Sequence, residues 1–367
     1  MIDIGFLRHN FLARSETFIY NSMRGLEEAG HYHVRVFALQ RVLAERYPWA
    51  DITQPGRLGR VLYRLTRHAP VFRRWAGTVR LIHAHLAQSS PFAMAAAARA
   101  GIPFVVSYYG HDVVMYKTRE RFASFAWWYT LLRRRVFARA AKVIVLSQHM
   151  KRALVDQGCP EDRIAIVRLG VDVDALDVAR VPASRFRVLM VGREVDKKGF
   201  DDGLRASRAL HDRGIAHTLT ILGTGGPLAG SLRALADELR VAVTWLDPTT
   251  PVPSAMAAAD VLLVPSRRAG DGDEEGTPTV IVEGSAARLP IVSTSHAGIP
   301  ELVDHGITGL LAGERDPVGL ADALERLARE PRTRAAMGEA GRVKMCAHYS
   351  LAAHRNQLEA VYAGVLA

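Results

Sequence analysis

Between residues 261 and 304 the chain has little choice of fold. Val261 to Pro265 is an apolar run of strand length, followed by a polar, glycine-bearing loop from Ser266 to Gly276. Thr277 and Pro278 then have the chemistry of a helix start, an N-cap followed by the helical position that best tolerates proline. The spacing predicts a helix from there to about Arg288, a strand over Ile291–Ser293 and a tight turn at Ala297, Gly298, Ile299 and Pro300. Strand, loop, helix and strand in that order make a parallel α/β unit, and in open sheets of that kind ligands bind beyond the carboxyl ends of the strands.

The first amides of this helix, at Thr279 and Val280, have no acceptor within the helix, and the helix dipole favours an anion in front of them. Glu275 lies on the loop and Glu283 eight positions later in the helix. A phosphate at the helix tip leaves Glu283 beside it to accept hydrogen bonds from sugar hydroxyls, with Glu275 on the far side. Two such carboxylates around an anion describe a pocket for a nucleoside diphosphate sugar. The run EGTPTVIVE, with the later GIPELVDHGITGLL, closely resembles the donor-site signature of GT4-type retaining glycosyltransferases of the GT-B fold. The resemblance implies that Glu283 binds the ribose hydroxyls and that Glu275 faces the transferred sugar. Thr279, Val280, Gly276 and Gly298 join them as donor-binding residues. A surface helix with two unrelated glutamates explains a lone E-x7-E, but not the loop and turn around this one.

At 367 residues the chain exceeds one ordinary core and fits two domains. It is 49% hydrophobic and 23% charged, which suits a globular protein. Its two cysteines, Cys159 and Cys346, are too few and too far apart for a disulfide framework or a zinc site, as expected in a reducing cytosol. Neither a signal peptide nor a membrane-spanning helix is expected. The net charge is +11, and residues 1–180 hold 27 lysines and arginines against 14 acids. Arg57, Arg60, Arg64 and Arg67 fall on one helix face and Leu58, Leu62 and Leu65 on another, with no acid between Arg57 and Arg80. A second cluster, Arg119, Arg121, Arg133, Arg134, Arg135 and Arg139, surrounds FASFAWWYTLL. Two readings stand side by side: contact with anionic lipid, or a solvated arginine-rich surface with Trp127 and Trp128 in the core. No nucleic-acid motif accompanies the charge, so no nucleic acid is expected.

In the first half, strands are predicted at Ile2–Leu7, His33–Leu39, Leu81–Ala84, Pro103–Ser107, Ala141–Leu146 and Ile164–Val167. Ser15 is the expected cap of the helix that Gly30 closes. In the family a histidine often precedes the glycine of YYGHDVV. Here Tyr109 holds that place and His111 follows two residues later. Either the Tyr109 hydroxyl takes the histidine's role, or His111 swings in, or Tyr109 is structural. We read Tyr109 as lining the cleft and Asp112 as a helix cap. The second half opens with a strand at Arg187–Val191 and continues into Gly192-Arg193-EVDKKGF. Arg193 and Lys198 match the family's pyrophosphate-binding pair, cations that stabilise a departing diphosphate in place of a metal. Lys197 is the weaker alternative to Lys198. Gly223 opens a GTGG turn that in the family lies near the nucleotide. A helix is expected over residues 252–260. Asp271-Gly272-Asp273 resembles a metal motif of another fold, but we read it as loop polarity.

The expectation is an α/β protein of the GT-B type, two Rossmann-like domains whose parallel sheets face each other across a cleft. The first covers residues 1–180, with a last helix over 351–367 packing back on it, and the second covers 185–350. The expected activity is metal-independent, retaining transfer of a hexose from a nucleoside diphosphate sugar to an acceptor hydroxyl, in surface polysaccharide or glycolipid synthesis. No cofactor is expected. The acceptor includes lipid-linked species, and the location is the cytoplasm, with peripheral contact at the inner membrane face. A nucleotide-sugar epimerase of the same fold and a non-catalytic membrane scaffold are the competing readings.

Overall fold

The computed structural model describes residues 1–12, 16–67, 69–114 and 125–367. Ser15, Arg119, Arg121 and residues 122–124 of the aromatic run therefore lie outside the described residues. The chain divides into two compact units, Met1–Gly170 with Leu351–Ala367, and Val171–Ser350.

The first unit runs β1 (Ile2–Leu7), β2 (Asn10–Phe11), α1 (Thr17–Glu28), β3 (Tyr32–Phe37), β4 (Gln40–Arg41), β5 (Ile52–Thr53), α2 (Arg57–Thr66), α3 (Pro70–Ala76), β6 (Leu81–His85), α4 (Ser90–Ala100), β7 (Phe104–Ser107), α5 (His111–Val114), α6 (Ala126–Arg139), β8 (Lys142–Val145), α7 (Gln148–Val155) and β9 (Ile164–Ile166). Its main sheet is parallel throughout, in the order β5-β3-β1-β6-β7-β8-β9. Helices cover both faces, so successive residues of β1 feed different cores. Ile4 and Phe6 pack with α1 and with Leu358 and Tyr362 of the last helix (Leu351–Leu366), while Leu7 packs with Phe72, Trp75 and Phe92. That explains why the strands read as continuous apolar runs rather than alternating ones.

The second unit runs β10 (Phe186–Gly192), α8 (Phe200–Asp212), β11 (His217–Gly223), α9 (Ala229–Glu238), β12 (Val243–Trp245), α10 (Val252–Ala257), β13 (Val261–Val264), α11 (Thr279–Ala286), β14 (Ile291–Thr294), α12 (Ile299–Leu302), β15 (Gly309–Ala312), α13 (Pro317–Arg329) and α14 (Pro331–His348). Its parallel sheet has the order β12-β11-β10-β13-β14-β15. The chain winds outward from β10 in one direction, then returns to its other side at β13 and winds the opposite way. The crevice between the ends of β10 and β13 is thus the topological switch point.

Three local expectations are corrected. Helix α11 begins at Thr279, because Pro278 has extended backbone, φ −62° and ψ 108°. Pro278 is the N-cap, and among the described residues the buried Thr277 hydroxyl has no hydrogen-bond partner. The helix stops at Ala286, and Arg288 beyond it turns left-handed at φ 57°. Residues 171–180 pack with the second unit rather than ending the first. The Val171 amide donates to the Tyr349 carbonyl, Leu176 is in the second unit's core, and the Arg180 guanidinium donates to the carbonyls of Ala259, Ala287 and Arg288. Finally, Asp112 lies within the short helix α5 rather than before it as a cap. Among the described residues its buried carboxylate accepts from the amides of Tyr109, Gly110 and Ala87, pinning the loop after β7. Among the described residues no helix is long and apolar enough to cross a membrane.

Gly199, at φ 61°, joins the loop after β10 to α8, and a Cβ there would lie 2.0 Å from the Pro265 carbonyl oxygen at the end of β13. Gly199→Ala must therefore separate the two strand ends that make the switch point. We expect it to lower unfolding stability by at least about 1–3 kcal/mol, measured by chemical denaturation.

Candidate functional site

Two loops meet at the switch point. The loop after β10 carries Arg193, Glu194, Lys197 and Lys198, and the loop after β13 carries Ser266, Arg267, Glu275 and Thr277. Arg267 fastens them. Its guanidinium is 6% exposed and donates to Asp196 at 2.6 Å, Asp202 at 2.6 Å and Asp201 at 3.0 Å, and its amide donates to the Lys197 carbonyl. Burial disfavours the Arg267 charge, but its hydrogen bonds to the three aspartates outweigh it and raise its pKa. Asp196 also accepts from the Gly270 amide, so the crest of the second loop hangs on the first.

Within this frame Lys198 reaches Glu275, with Nζ 2.7 Å from Oε1. Burial alone would raise the Glu275 carboxyl, but Lys198 and then Lys197 outweigh it and hold the group below the ordinary carboxylate value. Glu283, in α11, also feels Lys198. There burial dominates, and its carboxyl is pushed above the ordinary value. The Lys198 ammonium is thus paired with one carboxylate and its charge is felt by a second, and the titrations of the two are displaced in opposite directions. Lys197 is committed elsewhere, to Asp273 at 2.9 Å and to the Glu274 carbonyl, so Lys198 is the lysine turned to the site. Arg193 is exposed at the end of β10 and, among the described residues, carries no ion pair. Asp271 accepts from the Asp273 amide, so the Asp-Gly-Asp run is occupied in holding its own loop.

Thr279 and Val280 are the first two residues of α11, so their amides lack helical acceptors. Among the described residues the buried hydroxyls of Thr277, two positions before that helix, and of Ser266, just beyond β13, have no hydrogen-bond partner. Gly276 and Gly298 are buried in the adjoining loops, and Gly298 caps the short helix α12. Gly223 ends β11, where a Cβ would fall 2.0 Å from Glu194 Oε1. At Gly226 it would fall 2.2 Å from the Glu194 carbonyl oxygen. The GTGG turn therefore makes room for the Glu194 loop, and Glu194 in turn accepts from the Gly225 amide.

The sequence reading missed the support behind Glu275. His296, 2% exposed, accepts the Glu275 amide hydrogen at Nε2, which requires Nδ1 to carry the proton it donates to Glu314 at 2.7 Å. Glu314 also accepts from the Arg268 amide, and Arg268 pairs with Glu274 at 2.5 Å. Burial would raise the Glu314 carboxyl, but these hydrogen bonds lower it. The only signal in the sequence was a histidine just before the Ala-Gly turn, four residues from Pro300.

Tyr109 lies in the first unit, at the end of β7. Its hydroxyl shares a 2.6 Å hydrogen bond with His85 Nδ1, and its ring lies against Phe18. Burial raises the phenol and lowers His85, so both stay neutral. Beside them His83 bridges Tyr362 at 2.6 Å and Ser107 at 2.7 Å, its pKa lowered by burial to about 3. His111 begins α5 and is half-buried.

Two family descriptions match the two halves of the chain. Residues 15–175 match Glycosyltransferase Family 4, and residues 185–330 match Glycosyl transferases group 1. Together with the parallel sheets these place the protein among the GT-B glycosyltransferases. Within that class the chain belongs to the GT4 type. It is 29% identical to a protein named for colanic acid biosynthesis, the glycosyltransferase WcaL of Salmonella typhimurium, over 89% of this chain and 91% of that one. It is 34% identical to the amylovoran biosynthesis glycosyltransferase AmsK of Erwinia amylovora, over 53% of this chain and 49% of the relative. Among solved structures, Anabaena HepE in complex with UDP and glucose shares the fold at a TM-score of 0.78 and 18% identity, over 99% of this chain and all of that one.

The opposite displacement of the two carboxyls gives opposite pH signatures. Glu275, with its folded pKa lowered, adds stability above the ordinary carboxylate range and loses it as pH falls. Glu275→Gln should cost about 1–3 kcal/mol near pH 7, and the cost should shrink below about pH 4.3. Glu283, with its folded pKa raised, adds stability only at low pH and loses it as pH rises, so Glu283→Gln should gain on the wild type toward pH 7. Thermal melts of both variants across that range test the pair of signs. At His296, substitution by alanine strands the Glu275 amide. Its hydrogen exchange should accelerate roughly tenfold, whereas His296→Gln, which keeps an acceptor, should accelerate it less.

Proposed function

We propose that the protein transfers a hexose from a nucleoside diphosphate sugar to an acceptor hydroxyl with retention of configuration, in assembly of a surface polysaccharide or related glycoconjugate. The observation that carries this reading is the Lys198–Glu275 ion pair at the switch point, with the charge of Lys198 also felt by Glu283 on α11. In the proposed complex the diphosphate draws Lys198 from Glu275 and takes Arg193, the amides of Thr279 and Val280 and the idle Thr277 hydroxyl as further donors. Glu283 accepts from the ribose hydroxyls. Glu275, released from Lys198 but still fixed by His296, accepts from the sugar.

The bond from the anomeric carbon to the leaving phosphate oxygen breaks with its electrons going to phosphate. That oxygen then takes the proton of the acceptor hydroxyl, which bonds to the same face of the sugar. The two cations and the helix tip stabilise the developing charge, the task this reading gives them in place of a metal. The names of WcaL and AmsK support a polysaccharide product, and the UDP bound to HepE supports a nucleoside diphosphate donor. The proposal includes a lipid-linked acceptor and peripheral contact of the basic first half with anionic membrane at the cytoplasmic face.

Arg193→Ala and Lys198→Ala should each reduce turnover roughly 10²–10³-fold, as expected for loss of a charge-stabilising donor. Glu283→Ala should chiefly weaken binding of the nucleotide. Proton NMR of the first-formed product, with UDP- and GDP-sugars supplied in turn, reads the anomeric configuration. An inverted product, or sugar epimerised with no acceptor present, refutes the proposal.

A further inference from the structure

We infer that α2 is the membrane-facing element of the first unit, and that the pocket beside it receives one hydrocarbon chain of an anionic lipid. This deepens the membrane contact proposed above and depends on that contact rather than on the transfer chemistry. Tyr63 is the one buried residue of α2. Leu58, Val61, Leu62 and Leu65 are exposed to 74, 52, 38 and 69% of their surface, and at helical spacing they form a single stripe. Single exposed leucines are unremarked on any surface, but three leucines and a valine adjoining on one helix mark an interaction face.

The surroundings specify the partner. Helices α2, α3, α4 and α6 contain no aspartate or glutamate, while Arg57, Arg60, Arg64, Arg73, Arg74 and Arg99 lie on the first three. Trp128 donates its indole N–H to the Arg64 carbonyl at 3.1 Å and lies 4.4 Å beneath the Arg67 guanidinium. Trp127, stacked on it, is 42% exposed, so of the two readings left open by the sequence the one that puts it in the core fails for that residue. Leu131 of α6 is also 67% exposed. Arginine, leucine and exposed tryptophan together are the composition of a surface at the boundary of headgroups and acyl chains.

A cavity of about 200 Å³ opens between α2, α3 and α4. Leu62, Phe72 and Ala96 give it apolar walls, and among the described residues its charged lining is Arg73 and Arg99. It is smaller than the roughly 300 Å³ at which pockets begin to hold whole small ligands. An apolar slot with arginines fits a chain segment under a phosphate head. Nucleic acid would satisfy the arginines and leave the leucine stripe in water. A second copy would bring arginines against arginines.

The test is flotation of the full chain with phosphatidylglycerol–phosphatidylcholine vesicles and with phosphatidylcholine alone. Binding should require the anionic lipid and weaken with salt. Leu58→Glu/Leu65→Glu should reduce affinity at least about tenfold, and Arg73→Gln and Arg99→Gln roughly fivefold each. Both leucines are exposed, so the double variant should keep the wild-type melting temperature. A phosphatidylglycerol with a photoactivatable chain should label peptides of α2, α3 or α4, and Ala96→Phe should suppress that label. Equal flotation of the leucine variant, labelling confined to other elements, duplex DNA binding that outcompetes vesicles, or self-association in place of lipid binding would each overturn the inference. Sugar transfer in the absence of vesicles, measured on the same variant, separates this failure from failure of the transferase reading. It should be unchanged.

Discussion

The loop edge of the second unit's sheet depends on a buried guanidinium. Parallel sheets bring strand ends together but leave the loops beyond them free to diverge, and the loops after β10 and β13 are long and polar. Arg267 closes that gap by pairing with Asp196, Asp201 and Asp202, from a segment some seventy residues earlier in the chain. An arginine suits the task because its planar fork reaches several carboxylates in fixed directions, where a lysine would supply one mobile charge. Glu275 is then fixed a second time through its own amide, by His296 and Glu314. Its backbone is held from behind while its side chain faces Lys198.

On the proposed reading, such an arrangement prepares a site for negative charge before any arrives. Lys198 holds the Glu275 carboxylate ionised in a largely buried place, and among the described residues two buried hydroxyls stand without partners. Unsatisfied buried polar groups are rare because each costs stability, and they concentrate where a ligand completes them. Glu283, driven toward its neutral form by burial, is the complementary case: hydrogen bonds from hydroxyls would favour its ionised state.

Much of this was legible in the sequence because it rests on local chemistry. The apolar run at Val261–Val264, the proline at the helix start and the E-x7-E spacing each constrain neighbours within a dozen residues, and the strand, helix and glutamates lie where these features put them. The helix boundary was missed by one residue, because Pro278 could serve equally as cap or first helical residue until its backbone angle was known. Arg267, His296 and Glu314 were not legible at all. Their partners are set by the way strands are ordered in the sheet, and nothing in the spacing of a histidine and a distant glutamate announces a hydrogen bond. Tyr109 shows the converse limit. Its place in the motif was clear, but its partner, His85, comes from a neighbouring strand and takes up the hydroxyl.

The path of the chain has a consequence for how the protein is made. The first unit is left at Gly170 and rejoined only at Leu351, where Leu358 and Tyr362 complete the core over β1 and β3 and Tyr362 meets His83. During translation the second unit is whole by Ser350, while the first still lacks a wall. The half synthesised first is therefore the half that finishes folding last, and it must wait on the ribosome with part of its apolar sheet uncovered.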